Sequence, residues 1–335
     1  MIRIKESYKP GWKMGKISDG VWLEKAIHRK DALGRTGKEV FDAHEIQIVR
    51  GQEEADFGFS MHGDPVHGLP PPKCILFKGE PPIYNIYFGR KLCKQSFLDK
   101  YMATMSNTII DGLDQVLFNS PQNAFEHMEE CFDYPKDKFL CMILKNKKKS
   151  LLLNSLVPGL RKYNLYSNHK LRDECDKFFC NYLGPSLYNS YGEGWCPACY
   201  KGKVGFRGEY LRDGKYFNPL PPEYEVIREY RFNFCPENSR FPGYVTEKPI
   251  QAMVCGSIPI YLGAPNIEEY FPKGTFIDFS YRTKEELCEY LKTLTNKEIK
   301  RYQKNIKRFI TSQEADPFSS YIFAKKLVKI LEDNA

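Results

Sequence analysis

Residues 243–265, GYVTEKPIQAMVCGSIPIYLGAP, decide how this chain is read. Thr246 has the side chain of a helix N-cap, an apolar run follows it, and Gly256 can take the positive φ that stops a helix. The spacing therefore predicts a helix from Glu247 to about Cys255. The next run, IPIYL, reads as a buried strand, and YRFNFC at residues 230–235 alternates as another. Strand, helix and strand in this order are the grammar of a parallel sheet. One residue resists. Lys248 falls in the first helical turn, where a cation opposes the positive end of the helix dipole at a cost of roughly 0.3–1 kcal/mol. An anion held at the helix start turns that cost into a gain, whereas a lysine curling into solvent leaves it standing.

The same alternation extends outward in both directions. IRIKE (2–6), HEIQIVR (44–50) and ADFGFS (55–60) read as strands and VWLEKAIHRK (21–30) as a helix. The strand KCILFK (73–78) is ended by Gly79 and the pair Pro81-Pro82, which places Glu80 just past a strand end. KFLCMIL (138–144) is a further strand, and the run Lys147–Lys149 after it reads as a solvated loop near a domain boundary, with a phosphate contact as the sharper alternative. LRDECDKFFCNYL (171–183) is helical. Near the end, Thr283 with Glu286 forms a capping box, Asn296 can cap the helix that follows it, and Asp316 before Pro317 can open the last one. That last helix has an apolar face of Phe318, Tyr321, Ile322, Leu327 and Leu331 and is expected to pack on a domain. The expected organisation is an α/β chain with an N-terminal domain over 1–140, a second domain over 141–315 and a packing helix over 316–335.

Bulk properties agree. At about 150 residues per domain, 335 residues suit two domains, and 42% hydrophobic with 27% charged residues excludes a disordered chain. The excess of 50 Lys and Arg over 42 Asp and Glu, a net +8, favours anionic partners. No apolar run approaches the ~18 residues of a membrane span, and the first residues lack the apolar segment of a signal peptide. The expected location is the cytoplasm, or the Golgi lumen if this is the catalytic part of a longer anchored protein; peripheral contact with an acidic membrane stays open. Eleven scattered cysteines point to reduced thiols.

In an open α/β sheet, ligands collect where strands end and helices begin. At the Lys248 helix, Pro249 loses no hydrogen bond in a first turn, Gly243 permits close backbone approach, Glu247 can accept bonds from sugar hydroxyls, and Tyr244 offers a ring face and a hydroxyl. This set suits a nucleotide diphosphate. The chain has no Gly-x-x-x-x-Gly-Lys-Ser/Thr loop, no Gly-x-Gly-x-x-Gly after a strand and no Asp-x-Asp pair. A diphosphate site here is therefore expected to use protein cations and no divalent metal.

Residues 232–272, FNFCPENSRFPGYVTEKPIQAMVCGSIPIYLGAPNIEEYFP, resemble the signature of the α1,3-fucosyltransferase family, with its Glu-Asn-Ser element ahead of a Tyr-Val-Thr-Glu-Lys element. LFKGEPP (76–82) is similar to the family's Gly-Glu element after a strand, and SNHKLRDECDKFF (167–179) to its Ser-Asn segment and arginine-led helix. The first seventy residues resemble little in detail. The resemblance implies a GT-B fold, two Rossmann-like domains facing a cleft, with acceptor on the N-terminal side and donor on the C-terminal side. It implies transfer of L-fucose from GDP-fucose, with inversion, to a hydroxyl of N-acetylglucosamine or glucose in a glycan such as N-acetyllactosamine. By position, Lys248 and Arg172 would hold the diphosphate, with Arg161 as the alternative to Arg172. Glu247 would hold the ribose, Tyr244 and Asn238 the donor, and Glu80 would be the general base, with Glu237, Gly243 and Thr246 in support. Beyond the donor no cofactor is implied. Pro236 departs from the family's usual aromatic before Glu-Asn.

Other features have plainer readings beside sharper ones. WCPAC (195–199) imitates a thioredoxin motif, but the sequence gives it neither a preceding strand nor a following helix. A zinc site would join Cys196 and Cys199 to Cys175 and Cys180, which lie five apart on a helix and so off one face. The segment from about Gly192 to Pro222 is a surface excursion or an acceptor-selecting loop. The six histidines form no close cluster, with His62 and His67 as cleft candidates. A basic, aromatic-rich chain could instead bind nucleic acid, yet it has no RNA-recognition signature and no basic helix-turn-helix pattern, so no nucleic-acid partner is expected. Another GT-B enzyme using a different GDP-sugar is the nearer alternative.

Overall fold

The computed structural model describes residues 1–7, 22–50, 53–61, 63–79, 91, 94–146, 167–204, 210–212 and 215–335. Strands β1 (Ile2–Glu6), β2 (Ile46–Ile48), β3 (Phe57–Met61), β4 (Cys74–Lys78), β5 (Ala103–Ser106) and β6 (Val116–Leu117) form one six-stranded sheet in the order β2-β1-β3-β4-β5-β6. All of its neighbouring pairs are parallel. The chain then crosses to β7 (Lys138–Ile143) and β8 (Tyr188–Tyr191), makes an antiparallel hairpin of β9 (Tyr210–Arg212) and β10 (Lys215–Phe217), and continues through β11 (Tyr230–Pro236), β12 (Ile258–Leu262) and β13 (Ile277–Asp278). A second, five-stranded parallel sheet results, ordered β13-β12-β11-β7-β8. Strands such as β4 and β12 are buried along their whole length, as parallel strands covered on both faces must be.

Among the described residues, the helices are α1 (Trp22–His28), α2 (Gly37–Ala43), α3 (Gln95–Leu98), α4 (Met128–Cys131), α5 (His169–Leu183), α6 (Pro222–Ile227), α7 (Glu247–Val254), α8 (Lys284–Thr293), α9 (Asn296–Ile310) and α10 (Ser320–Glu332). The predicted stop at Gly256 holds, with φ +66. A Cβ at Gly256 would meet the Phe132 carbonyl oxygen at 2.2 Å, so glycine is also required for packing. The capping box at Thr283 and Glu286 is present. Two expected caps move. Thr295, not Asn296, caps α9, because Glu298 lies three residues on and completes a capping box with it. Pro317 sits inside a 3-10 turn, and Ser319 rather than Asp316 caps α10 by accepting the Ile322 N–H at 3.1 Å.

β7 pairs with β11 through Leu140 and Phe232, so it belongs to the second sheet. The crossing between sheets lies in 118–137, and a division between residues 140 and 141 would pass through a strand. The packing helix returns to the first domain: Phe323, Leu327, Val328 and Leu331 of α10 join Phe59, Phe77 and Phe118 in its core. Each such side chain contributes about 1.5–3 kcal/mol when fully buried. Among the described residues, no helix is long and apolar enough to cross a membrane.

Candidate functional site

In each sheet the strand order reverses at one place. In the second it is between β7 and β11, since the chain adds β8 on one side and β12 and β13 on the other. In the first it is between β1 and β3. The crevice beyond the strand ends at such a point is where open α/β sheets take ligands.

At the second reversal, Glu237 directly follows β11 and is fully buried. Its carboxylate faces the start of α7. Thr246 donates its N–H to Glu237 Oε1 at 2.7 Å and its hydroxyl to Oε2 at 2.7 Å. Lys248 Nζ donates to Glu237 Oε2 at 3.0 Å, to Thr246 Oγ1 at 2.7 Å and to Glu247 Oε1 at 3.2 Å. Thr246 thus occupies the N-cap position, as the sequence predicts, but its side chain makes no cap bond. A carboxylate from another element takes over that end of the helix. The lysine that the dipole disfavours is the counter-ion of a buried glutamate. Burial on its own lowers the Lys248 pKa, with Arg172 acting in the same sense, but Glu237 and Glu247 outweigh both and hold the ammonium above the ordinary lysine range. For Glu247, desolvation favours the neutral acid, yet Lys248 and local hydrogen bonds outweigh it and hold the carboxyl below the usual range. Glu247 keeps 49% of its side-chain surface exposed, so it can still accept from a hydroxyl.

Arg172 stands in the first turn of α5 and is 2% exposed. It donates from Nη1 to Asn238 Oδ1 and from Nη2 to the Pro236 carbonyl, both at 2.8 Å. Asn168, the α5 N-cap, donates its amide to the carbonyls of Glu237 at 3.1 Å and Leu262 at 3.4 Å. The starts of α5 and α7 are thereby laced to the same strand end. Two cations and two helix N-termini converge there with two carboxylates, so an anion at this point would compete with Glu237 and Glu247 for Lys248.

Tyr244, expected at the donor, and Gly243, expected in support, make contacts within the protein. Tyr244 is fully buried, and Asn238 Nδ2 reaches its hydroxyl at 3.4 Å, so the tyrosine stands behind Asn238. Gly243 has φ +78, and a Cβ there would lie 3.1 Å from Ile109 Cγ1, so the close approach it allows is to the first domain. The Ile109 N–H donates to the Pro242 carbonyl at 2.8 Å. Asn107, two residues earlier and 3% exposed, donates its amide to the Gly79 carbonyl at 2.7 Å. The buried Ser106-Asn107-Thr108 turn therefore joins the end of β4 to the loop that leads into α7. Sequence reading passed over this turn, although three polar residues at the end of a strand were a usable signal. Glu80, Arg161, Lys147–Lys149 and His62 lie outside the described residues.

At the first reversal, Glu6 ends β1 and accepts the Leu23 N–H at 2.8 Å, capping α1. Burial pushes its carboxyl up to about 7 against the pull of the Leu23 and Trp22 N–H groups, and Glu24 adds to the rise. No sequence signal marked this residue. The β9–β10 hairpin reaches the first domain elsewhere: Tyr216 stacks on His28 at 6.0 Å, at the opposite end of α1 from Glu6. A cavity of about 570 Å³ lined by Phe132, Lys136, Gln303 and Lys307 lies by the other end of α7, where Gln303 donates to the Gly256 carbonyl, and shares no residue with the site. Among the described residues, no three His, Cys, Asp or Glu side chains are grouped to hold a metal ion, the four cysteines of the zinc alternative included.

Residues 216–315 match the model of glycosyltransferase family 10 (fucosyltransferase), C-terminal region. An alpha-(1,3)-fucosyltransferase of Helicobacter pylori is 38% identical over 71 residues, 21% of this chain and 15% of that protein. The matches span between 11% and 23% of the curated relatives' own lengths. A crystal structure of an alpha1,3-fucosyltransferase with GDP superposes with a TM-score of 0.54 at 14% identity, covering 100% of this chain and 91% of that one. Anabaena HepE in complex with UDP and glucose gives 0.52 at 9% identity, covering 99% and 100%. The chain thus resembles the fucosyltransferases of glycosyltransferase family 10 through residues 216–315, and its described residues have the GT-B fold of two Rossmann-like domains.

Proposed function

We propose that the chain is an inverting glycosyltransferase that moves L-fucose from GDP-fucose to a hydroxyl, O3 of N-acetylglucosamine or glucose, in a glycan acceptor such as N-acetyllactosamine. The observation that carries this reading is the convergence of Arg172, Lys248 and the N-termini of α5 and α7 at the strand-order reversal. Most of that site falls within the span matching the fucosyltransferase family. Arg172 and Lys248 stabilise the charge that develops on the departing diphosphate, an effect worth several kcal/mol. Arginine offers two parallel N–H groups and lysine a point charge. Glu247 takes a ribose hydroxyl, while Asn238, backed by Tyr244, contacts the donor. Glu80 serves as general base, a role worth about 10²–10⁴-fold, and Asn107 fixes the residue before it. The protein's own cations fill the role a divalent metal has elsewhere.

Thermal shift with GDP, UDP, ADP and CDP, each with and without EDTA, tests the donor half. A shift with GDP alone that survives EDTA is expected, and Lys248→Ala removes it. A UDP-selective shift rejects the donor and keeps the fold. Glu80→Ala is expected to abolish transfer to N-acetyllactosamine while leaving the GDP shift intact. Retained transfer by that variant rejects Glu80 as the base.

A further inference from the structure

The proposed reaction leaves the WCPAC segment unused. Contrary to the sequence reading, a strand does precede it: β8 ends at Tyr191, and Gly192 to Gly194 turn the chain back onto β7 and α5. Gly192 has φ +108, and a Cβ there would lie 1.9 Å from the Leu144 carbonyl oxygen, so the turn admits no other residue. Asn146 Nδ2 donates to the Gly194 carbonyl at 3.0 Å. The Cys196 N–H donates to Asp176 Oδ2 at 2.6 Å, and Asp176 also accepts from the Tyr188 hydroxyl at 2.9 Å. These bonds fix Cys196 over the third turn of α5. Its Sγ lies 2.9 Å from Cys180 Sγ, inside the roughly 3.5–4 Å of ordinary non-bonded contact and approaching the about 2.0 Å of a disulfide. Cys199 is the third sulfur, with Sγ 3.8 Å from the Cys180 carbonyl.

We propose that Cys180 and Cys196 are an oxidisable pair that forms a disulfide stapling the Gly192–Tyr200 loop to α5. Cys196 is partly exposed while Cys180 and Cys199 are buried, so Cys196 meets the oxidant first. With a small-molecule disulfide such as oxidised glutathione, the Cys196 thiolate attacks one sulfur and expels a glutathione thiolate. The Cys180 thiolate then attacks Cys196 Sγ in the mixed disulfide and expels the second. Two cysteine sulfurs lose two electrons in total, one glutathione disulfide gains them, and the two thiol protons end on two glutathione molecules. Contact with Cys180 and then burial raise the Cys196 pKa, and burial is the main cause that raises those of Cys180 and Cys199, so the staple forms faster as the pH rises above neutral.

The test is non-reducing peptide mapping of the whole chain after equilibration with oxidised glutathione and alkylation. One cross-linked peptide joining Cys180 to Cys196 is expected, with titratable thiols falling from the eleven of the sequence to nine. Cys199→Ser keeps the cross-link and Cys196→Ser abolishes it. Oxidation should raise the Tm of the wild type by roughly 5 °C, as expected for closing a loop of this length, and leave Cys196→Ser unchanged. Eleven persistent thiols, a cross-link mapped to another pair, or stoichiometric bound zinc shielding the thiols would each overturn the assignment. None of these outcomes depends on which nucleotide the chain binds.

Discussion

Each sheet ends, at its reversal point, in a buried or partly buried carboxylate, and the two are handled in opposite ways. Glu237 faces a lysine, a threonine hydroxyl and a helix N-terminus, so its charge is matched within 3.0 Å. Among the described residues Glu6 faces a helix N-terminus and no cation, with Glu24 nearby, and burial lifts it to about 7. The backbone N–H groups at the start of a short helix do not replace a cation when a carboxylate leaves water. The second domain therefore carries a fixed ionic network where the first carries a proton that can come and go. A fixed network suits a site that holds a charged diphosphate in one pose.

Glu237→Ala should show the largest effect. It leaves Lys248 and the Thr246 N–H beside an empty pocket, and removing one partner of a buried pair costs about 3–5 kcal/mol. Urea unfolding should show the loss, together with loss of the GDP-induced shift. A change below about 1 kcal/mol would mean that the pair is solvated and the contrast with Glu6 is false.

Glu6→Gln comes next and acts through pH. The folded-state pKa of about 7 exceeds the ordinary 4.5, so the folded state binds the proton more tightly than the unfolded one. Stability from this group is complete below about pH 4.5 and is lost as the pH rises through 7. The difference amounts to at most about 3 kcal/mol, and less to the extent that water reaches the partly buried carboxyl. The glutamine variant keeps the acceptor for Leu23 and should flatten the stability curve between those pH values. An unchanged curve would show that Glu6 titrates normally.

Asn107→Ala should have the smallest effect on stability, about 1 kcal/mol for one hydrogen bond. It sharpens the comparison from the other side, because Asn107 links the two strand-end regions through Gly79 and Ile109. With Glu80 as base, the variant should lower kcat at least several-fold while leaving the KM for GDP-fucose near its original value. Equal loss in both would assign Asn107 to donor binding instead.

The second domain was the more legible in sequence, for a physical reason. The starts and stops of its helices depend on near neighbours in sequence, three apart for Thr283 and Glu286 and adjacent for Cys255 and Gly256, and such pairs are visible in a line of text. Where the cap was placed on Asn296 and belongs to Thr295, the deciding Glu298 was there to be counted. The meaning of Lys248 was not legible. It depends on a bend at Gly243 that brings residue 248 onto residue 237, and no local pattern specifies where a strand end and a helix start will meet. Tyr244 shows the same limit: an aromatic next to a site reads as a wall of that site, and only packing shows that it supports Asn238 from behind. In the first domain, Glu6 acts through residues seventeen positions away and Asn107 through one twenty-eight away, so neither had a sequence signature.

The return of α10 to the first domain has a consequence for synthesis. β1 is made about three hundred residues before Phe323, Leu327 and Val328, which complete the core around β1, β3 and β4. At 5–20 residues per second, roughly 15–60 s pass with that apolar surface uncovered, while the second domain already has every strand of its sheet. The first domain therefore cannot close its core until the last helix has been made.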